Sequence, residues 1–403
     1  MMVQFCKRCL YHSHHPLNLT FNAKGICSGC VVHEEKEIID WQERYQKLKK
    51  KVKKYKINRD YDCIVPITGA NDSFYILDLV INKLKLNPLT VHYNSHYNTL
   101  SGLKNLAKLR TIFDVDFMQL VVEKEKIRKI NDVTLKKFAS MYWHVIAGQT
   151  VFPVQIAVKF KIPLIIWGVH QGCDQVGMFS HYDEVEMSRK YRKEHDLLGY
   201  EAEDLLGVSS NISDNDVNSF VYPSDKEINE NGIVGIYLSN YFKWDSKKQH
   251  EEMIRKYKYE AVDYNNTYDN CNNINCNHYN GVHDYIKLIK YGYSKIIDHL
   301  CREIRLKKIS RDNAIHILQN YKKIDLDDLQ IFLDFQQMKQ NDFFNIVDKF
   351  RSTIFWNKNG NKFEFIDYLK SSKIRNLDFK FNIERKLIKE KYYKNHILHK
   401  AWD

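Results

Sequence analysis

The stretch that most constrains this chain is Tyr61 to Ser73, YDCIVPITGANDS. An apolar run, Cys63 to Ile67, gives way to the short loop Thr68-Gly69-Ala70-Asn71-Asp72-Ser73, and a helix-patterned segment, Phe74 to Lys85, follows. A strand, a turn of small residues and a helix N-terminus make a natural anion site. Backbone N–H groups point outward, the helix dipole favours negative charge, and small side chains allow close approach. The loop is not of the Walker type, because no Gly-Lys-Ser/Thr closes it. The residues alone leave a second reading open, an ordinary strand-to-helix turn capped by Asp72 or Ser73.

With 403 residues and 44% hydrophobic content the chain can build a full core and more than one structural unit. No apolar stretch approaches the roughly 20 residues of a membrane span. The N-terminus, MMVQFCKRCLYH, lacks a secretory apolar core, so a cytoplasmic location is expected. The formal charge of +12 invites a nucleic-acid reading. Lys, Asn, Ile and Tyr are all heavily used, however, and the densest basic run, Lys47 to Lys56, falls on one charged helix expected over Glu34 to Lys56. A solvated face explains it, and nucleic acid is not expected as a partner.

Nine cysteines are too few for a disulfide scaffold, and four of them fall in pairs, Cys6-Lys-Arg-Cys9 and Cys27-Ser-Gly-Cys30. Two C-x-x-C turns about 17 residues apart match a closed four-thiolate site, which implies a structural zinc. Gly25 and Gly29 fit the tight backbone beside the second pair, and His12, His14 and His15 are superfluous as ligands. Farther on, Cys271 and Cys276 lie in an Asn-rich segment near His278 and His283, a looser spacing that fits either a second metal site or a polar loop.

From Tyr61 to about Tyr241 short apolar runs alternate with helical patterns. Strands are expected at Cys63–Ile67, Leu89–Tyr93, Phe117–Val122 and Pro163–Trp167. Helices are expected at Phe74–Lys85, Leu100–Phe113, Ile127–Ala139 and Val151–Phe160. This alternation predicts an α/β fold, a doubly wound parallel sheet with helices on both faces, and ligands at the strands' carboxyl ends. Beyond His283 the pattern predicts helices at Asp284–Arg305, Arg311–Tyr321, Leu326–Lys339 and Asp342–Phe350, then a hairpin turning at Asn359-Gly360. The expected divisions are residues 1–32 as a zinc ribbon, 33–58 as a linking helix, 59–262 as the α/β domain, and 263–403 as an Asn-rich loop and helical region.

The loop resembles the SGGxDS loop of the ATP pyrophosphatases, the PP-loop (HUP-like) superfamily, with Thr68 for Ser and Ala70 for the second Gly. Several blocks together resemble the N-acetyl sugar amidotransferase family of that superfamily. They are CKRC…GICSGC, YDCIVPITGANDS, MYWHVIAGQTVFPVQIAVKFKIPLIIWG, GMFSHYDEVEM, FVYPSDKEI…GIVGIYLSNYFKWD and GVHDYIKLIKYGYSK, spread over roughly the first 320 residues. The resemblance implies an enzyme of bacterial surface-sugar assembly, in flagellin glycosylation or lipopolysaccharide biosynthesis. It would turn the N-acetyl group of a nonulosonic acid or nucleotide-linked sugar into an acetamidino group. ATP would be consumed to AMP and pyrophosphate, with magnesium, and ammonia would come from a separate glutaminase.

The same resemblance implies roles for individual residues. Thr68, Gly69, Ala70, Asn71, Asp72 and Ser73 would cradle pyrophosphate, with Asp72 near magnesium and Ser73 in the catalytic set. Tyr93, Asn94, Trp167 and Gly168 would lie at the nucleotide. Trp143, His144 and His170 would face the sugar, with His144 as an acid or base. A buried structural Trp143 and His144 is the alternative, and Asp183 and Glu184 read best as an acidic helix start. A tRNA-modifying thiolase or lysine ligase of the same superfamily is the rival function, for which Cys173 is the cysteine nearest in sequence to a strand end. A relative with a degraded loop is the other alternative.

Overall fold

The computed structural model describes residues 3–56, 60–261, 267–268, 276–320, 323–326, 328–360, 362–366, 368–369, 374–375 and 378–380. Five parallel strands form the central sheet: β1 (Cys63–Pro66), β2 (Pro88–Asn94), β3 (Phe117–Val121), β4 (Leu164–Trp167) and β5 (Val234–Tyr237). Their order is β3-β2-β1-β4-β5. The chain therefore steps outward from β1 to β3, then returns past β1 to lay down β4 and β5. The reversal lies between β1 and β4, where Ile64 pairs with Ile165, and this is where a doubly wound sheet opens its ligand crevice.

Alternation along the strands explains the two layers. Cys63 and Val65 of β1, with Leu164 and Ile166 of β4, pack under the loop helix and Leu100–Phe113, whereas Ile64 and Ile165 pack against the long helix Trp143–Phe160. Four strands lie where sequence periodicity put them, within a residue or so at each end. β5, inside the GIVGIYLSN block, was not expected as a strand. Trp143–Phe160 begins two turns before the expected Val151, with Pro153 inside it.

Two expected helices are broken. The segment 34–56 is split into Ser28–Glu35 and Trp41–Lys53, because Asp40 caps the second helix by accepting from the Gln42 and Glu43 N–H groups. Residues 284–305 are split into Asn280–Tyr291 and Lys295–Arg305. Gly292 adopts φ +72° there, and an added Cβ would meet the Phe355 ring at 2.2 Å. The hairpin Trp356–Asn359 with Lys362–Ile366 forms, but Asn359 pairs with Lys362 instead of sitting in the turn, and Gly360 takes φ +60°.

The C-terminal helices do not stand apart from the sheet. Tyr93, Trp143 and Phe220 share one apolar core with Tyr279, Phe332, Phe343 and Trp356. The cysteine-rich N-terminus likewise shares a core with the C-terminal helices, through Leu10 and Tyr11 against Tyr293, Ile297, Leu300 and Cys301.

Candidate functional site

The loop after β1 sits at the sheet's reversal. The Thr68 N–H donates to Ser73 Oγ at 2.8 Å and the Ala70 N–H to Thr68 Oγ1 at 3.2 Å, closing the turn on itself. The N–H groups of Gly69 and Asn71 make no hydrogen bond among the described residues, which leaves two donors in the loop without a partner there. The helix begins at Asn71 and runs through a wide turn to Lys83. Ala70 is extended, φ −91° and ψ 164°, so its Cβ costs the backbone nothing. Replacing Ala70 with Gly is therefore expected to leave any anion binding at the loop within about threefold, while lowering stability by roughly 0.5–1 kcal/mol through the freer unfolded chain. Activity gained only with Gly would mean that the natural loop is degraded.

Gly69 is needed for packing. A Cβ there would lie 2.1 Å from the Gly102 carbonyl oxygen, and one on Gly102 would lie 2.6 Å from Cys276 Cα. The Gly69–Gly102–Cys276 stack brings Cys276 against the loop, where its thiol bonds the Thr68 side chain. Sequence distance hid this approach. Burial pushes that thiol up to about 11 despite the Thr68 bond. Cys271, its expected companion in a second metal site, lies outside the described residues. Among those described, Cys6, Cys9, Cys27 and Cys30 form the one group arranged to hold a metal ion.

Asp72 is exposed at the crevice mouth yet crowded by protein. Burial raises its carboxyl above the ordinary range, opposed by its own N–H and by the Arg302 guanidinium. Arg302 Nη1 donates to Ser246 Oγ at 3.3 Å, at the start of a helix that packs on the loop helix. Beside Ser246, Trp244 stands edge-on to Tyr75 and 3.3 Å from where a Gly168 Cβ would sit. Gly168 thus lets β4 approach the loop helix, with Ile76 at 2.8 Å from that Cβ position.

Other expected site residues have structural tasks. Tyr93 points at the long helix: its hydroxyl bonds His144 Nδ1 at 3.0 Å, and its ring lies 2.5 Å from where a Gly148 Cβ would be. Asn94 Oδ1 accepts from the His96 N–H and from Asn98 Nδ2, which builds the turn after β2. Trp143 is core, with its indole N–H donating to the Tyr200 carbonyl at 2.9 Å, which is the buried structural alternative for this residue. His144 is fully buried and pushed down to about 3 by that burial, which leaves it neutral. Trp167 donates from Nε1 to Met187 sulfur and lies under the Arg192 guanidinium. His170 stays at the edge of the crevice, buried among Tyr191, Tyr237 and Phe179, with neither ring nitrogen bonded among the described residues. Asp183 caps a short turn by accepting from the Ser180 N–H, and Glu184 pairs with Arg44 and Lys47.

At the N-terminus, Cys6, Cys9, Cys27 and Cys30 converge, fully buried, with all sulfurs within 4.8 Å of one another. The Cys6–Cys30 and Cys9–Cys27 separations are 4.0 and 3.6 Å, bracketing the roughly 3.8 Å edge of a tetrahedron with about 2.3 Å metal–sulfur bonds. The N–H groups of Arg8, Cys9 and Cys27 point at Cys6 Sγ, and Arg305 reaches Cys30 Sγ at 3.4 Å and Cys27 Sγ at 3.7 Å. These donors stabilise thiolates, so the residues fit a metal ion. Gly25 makes the expected turn at φ +72°. Gly29 instead makes room for Arg305, whose Nη2 lies 2.4 Å from its Cβ position.

Among the described residues no helix is long and apolar enough to cross a membrane. Residues 251–370 match the C-terminal domain of WbpG-like LPS biosynthesis proteins. The uncharacterized protein MJ1599 of Methanocaldococcus jannaschii is 28% identical over 120 residues, covering 28% of this chain. The match spans 42% of that relative's length. Among solved structures, the chain is similar to the NH3-dependent NAD synthetase of Campylobacter jejuni, determined with a nitrate ion, at 13% identity and a TM-score of 0.29 over 48% of this chain and 95% of that one. It is also similar to the NMN synthetase of Francisella tularensis, at 12% identity and a TM-score of 0.27 over 56% of this chain and 99% of that one. At such scores the overlays carry no argument, and the fold rests on the strand order and the loop. The chain thus joins a C-terminal segment, residues 251–370, similar to that of WbpG-like LPS biosynthesis proteins to a five-stranded parallel sheet with a strand-to-helix loop at its reversal.

Proposed function

We propose that this protein is an ATP-dependent amidotransferase that converts the N-acetyl group of a bacterial surface sugar into an acetamidino group. The observation that carries the reading is the loop with free Gly69 and Asn71 N–H groups at the sheet's reversal, in a chain with a WbpG-like domain. An amide carbonyl is a poor electrophile, and its oxygen must become a leaving group before nitrogen can replace it. Attack of that oxygen on the α-phosphorus of ATP forms an O–P bond and releases pyrophosphate. Ammonia then adds to the imidate carbon and AMP departs, leaving the acetamidino group. The first step needs positioning and charge neutralisation, for which the loop N–H groups and Ser73 are the proposed donors and Asp72 the proposed magnesium ligand. The second needs shelter from water, since hydrolysis returns the amide. Structural zinc in the four-cysteine cluster and ammonia from a glutaminase partner complete the proposal.

Cys276 beside Thr68 is the one observation that favours the tRNA thiolase reading. Its thiol, held up to about 11, is a poor nucleophile at neutral pH, which weighs against persulfide chemistry.

The test is an assay of purified protein with ATP, magnesium, an ammonia source and an acetamido sugar. AMP and pyrophosphate should be released, and the sugar should lose about one mass unit as NH replaces O. Replacing Asp72 with Ala should slow AMP formation on the order of 100-fold. Turnover that needs tRNA and a sulfur donor would decide for the rival, and a wild type that binds no ATP would end the enzyme reading.

A further inference from the structure

The loop from Thr68 to Ser73 holds no cation of its own, and its one charged residue, Asp72, is acidic. Two free N–H groups cannot offset the charge of a departing pyrophosphate, so cations must come from elsewhere in the fold. Resting on the reading above, we propose that Lys295 and Arg302, on one helix of the WbpG-like domain, receive the pyrophosphate moiety of a nucleoside triphosphate at the loop.

Placement carries the argument. Cys276 is seated on Gly102, which is seated on Gly69, so the chain enters the C-terminal helices directly at the loop. Thr99 donates its N–H to the Cys276 carbonyl at 3.1 Å, which fixes that entry. The break at Gly292 then folds Lys295–Arg305 back, and the Lys295 N–H is held by Asp284 of the preceding helix. Lys295 and Arg302 are seven residues apart, two turns along one side of that helix. Arg302 is tied to Ser246, beside Trp244 and the loop helix, and its charge reaches Asp72. The Lys295 charge reaches Cys276, whose thiol touches Thr68.

Lys295 is also distinctive in what it lacks. Its side chain is half-buried, and its ammonium makes no hydrogen bond or ion pair among the described residues. Asp284, Lys287, Asp298 and Arg302 surround it at longer range, and burial lowers it to about 8. An ammonium partly shielded from water without a direct partner gains when an anion comes to it. In the adenylation step the bond between the α-phosphorus and the bridging oxygen breaks, and the electron pair goes to pyrophosphate. A Lys and an Arg facing the loop would take up that added charge.

The experiment titrates inorganic pyrophosphate and magnesium-ATP calorimetrically into the full-length, metal-loaded protein. Wild type should bind both. Lys295→Gln and Arg302→Gln should each weaken pyrophosphate binding by about tenfold or more, and Lys295→Arg should restore most of it. Metal content and melting temperature identify a variant that fails to fold, and the other position then gives the answer. If wild type binds both ligands and the two Gln variants bind pyrophosphate as tightly, the inference is overturned while the amidotransferase reading stands. If wild type binds neither, that reading falls and takes this one with it.

Discussion

Removing the metal from the Cys6, Cys9, Cys27 and Cys30 cluster should cost on the order of 10 kcal/mol of folding free energy, the scale of structural zinc sites near neutral pH. The N-terminal segment has few alternatives to the metal. Its core is small, and much of what it buries is shared with Ile297, Leu300 and Cys301 of the C-terminal helix. Without metal, four buried sulfurs face one another, and the Arg305 guanidinium loses the thiolates it is aimed at. The damage should therefore spread beyond the four-cysteine segment to Lys295–Arg305 and reach the crevice beside the Thr68–Ser73 loop. Metal analysis should find one zinc per chain, and a strong chelator or Cys9→Ser should lower the melting temperature steeply, along with the ATP binding proposed above. Cys301→Ser is the milder comparison, because Cys301 accepts the Leu10 N–H and touches Cys9 without being one of the four convergent sulfurs, and it should keep full metal at a cost of about 1 kcal/mol. A purified protein without metal that melts as one cooperative unit would refute the assignment.

The second large effect is acid sensitivity. His92, His144 and His170 are buried and held neutral, pushed down to about 4, 3 and 4, chiefly by burial. A histidine whose folded value lies below its unfolded value of about 6.5 binds its proton more readily in the unfolded chain. Stability from these groups is complete above about pH 6.5 and is lost as pH falls toward 4. At pH 5 each costs about 2 kcal/mol, and the three together about 6 kcal/mol, comparable to the whole margin of many domains. The urea midpoint should fall sharply between pH 7.5 and 5. His144→Gln should be less stable at pH 7.5, having lost its fit to Tyr93, but should show a shallower pH dependence. A midpoint flat across that range would show that these rings are protonated in the folded state.

The local pattern of the chain carried much of the architecture. Runs such as Cys63–Ile67 and the 3.6-residue rhythm of Leu100–Phe113 are decided by neighbours within a dozen residues, and both elements lie where that rhythm put them. The paired cysteines were legible because metal geometry demands that spacing. Helix breaks were harder to see. Gly292 yields to the Phe355 ring, 63 positions farther along the chain, and nothing local in Gly281–Lys295 announces it.

The site divided along the same line. Sequence by itself determined the small-residue loop at the end of β1, the sheet type and the convergence of the four thiols. Only tertiary structure decided what each expected side chain does. It turned Tyr93 and Asn94 inward to hold His144 and the turn at Asn98, and it sank Trp143 into the core. It also brought Cys276 onto Gly102 and set Arg302 near Asp72, across more than 170 residues of chain. Contacts at such separations are fixed by how whole layers pack against one another. A strand's period reports which face is buried, but not which distant segment covers it.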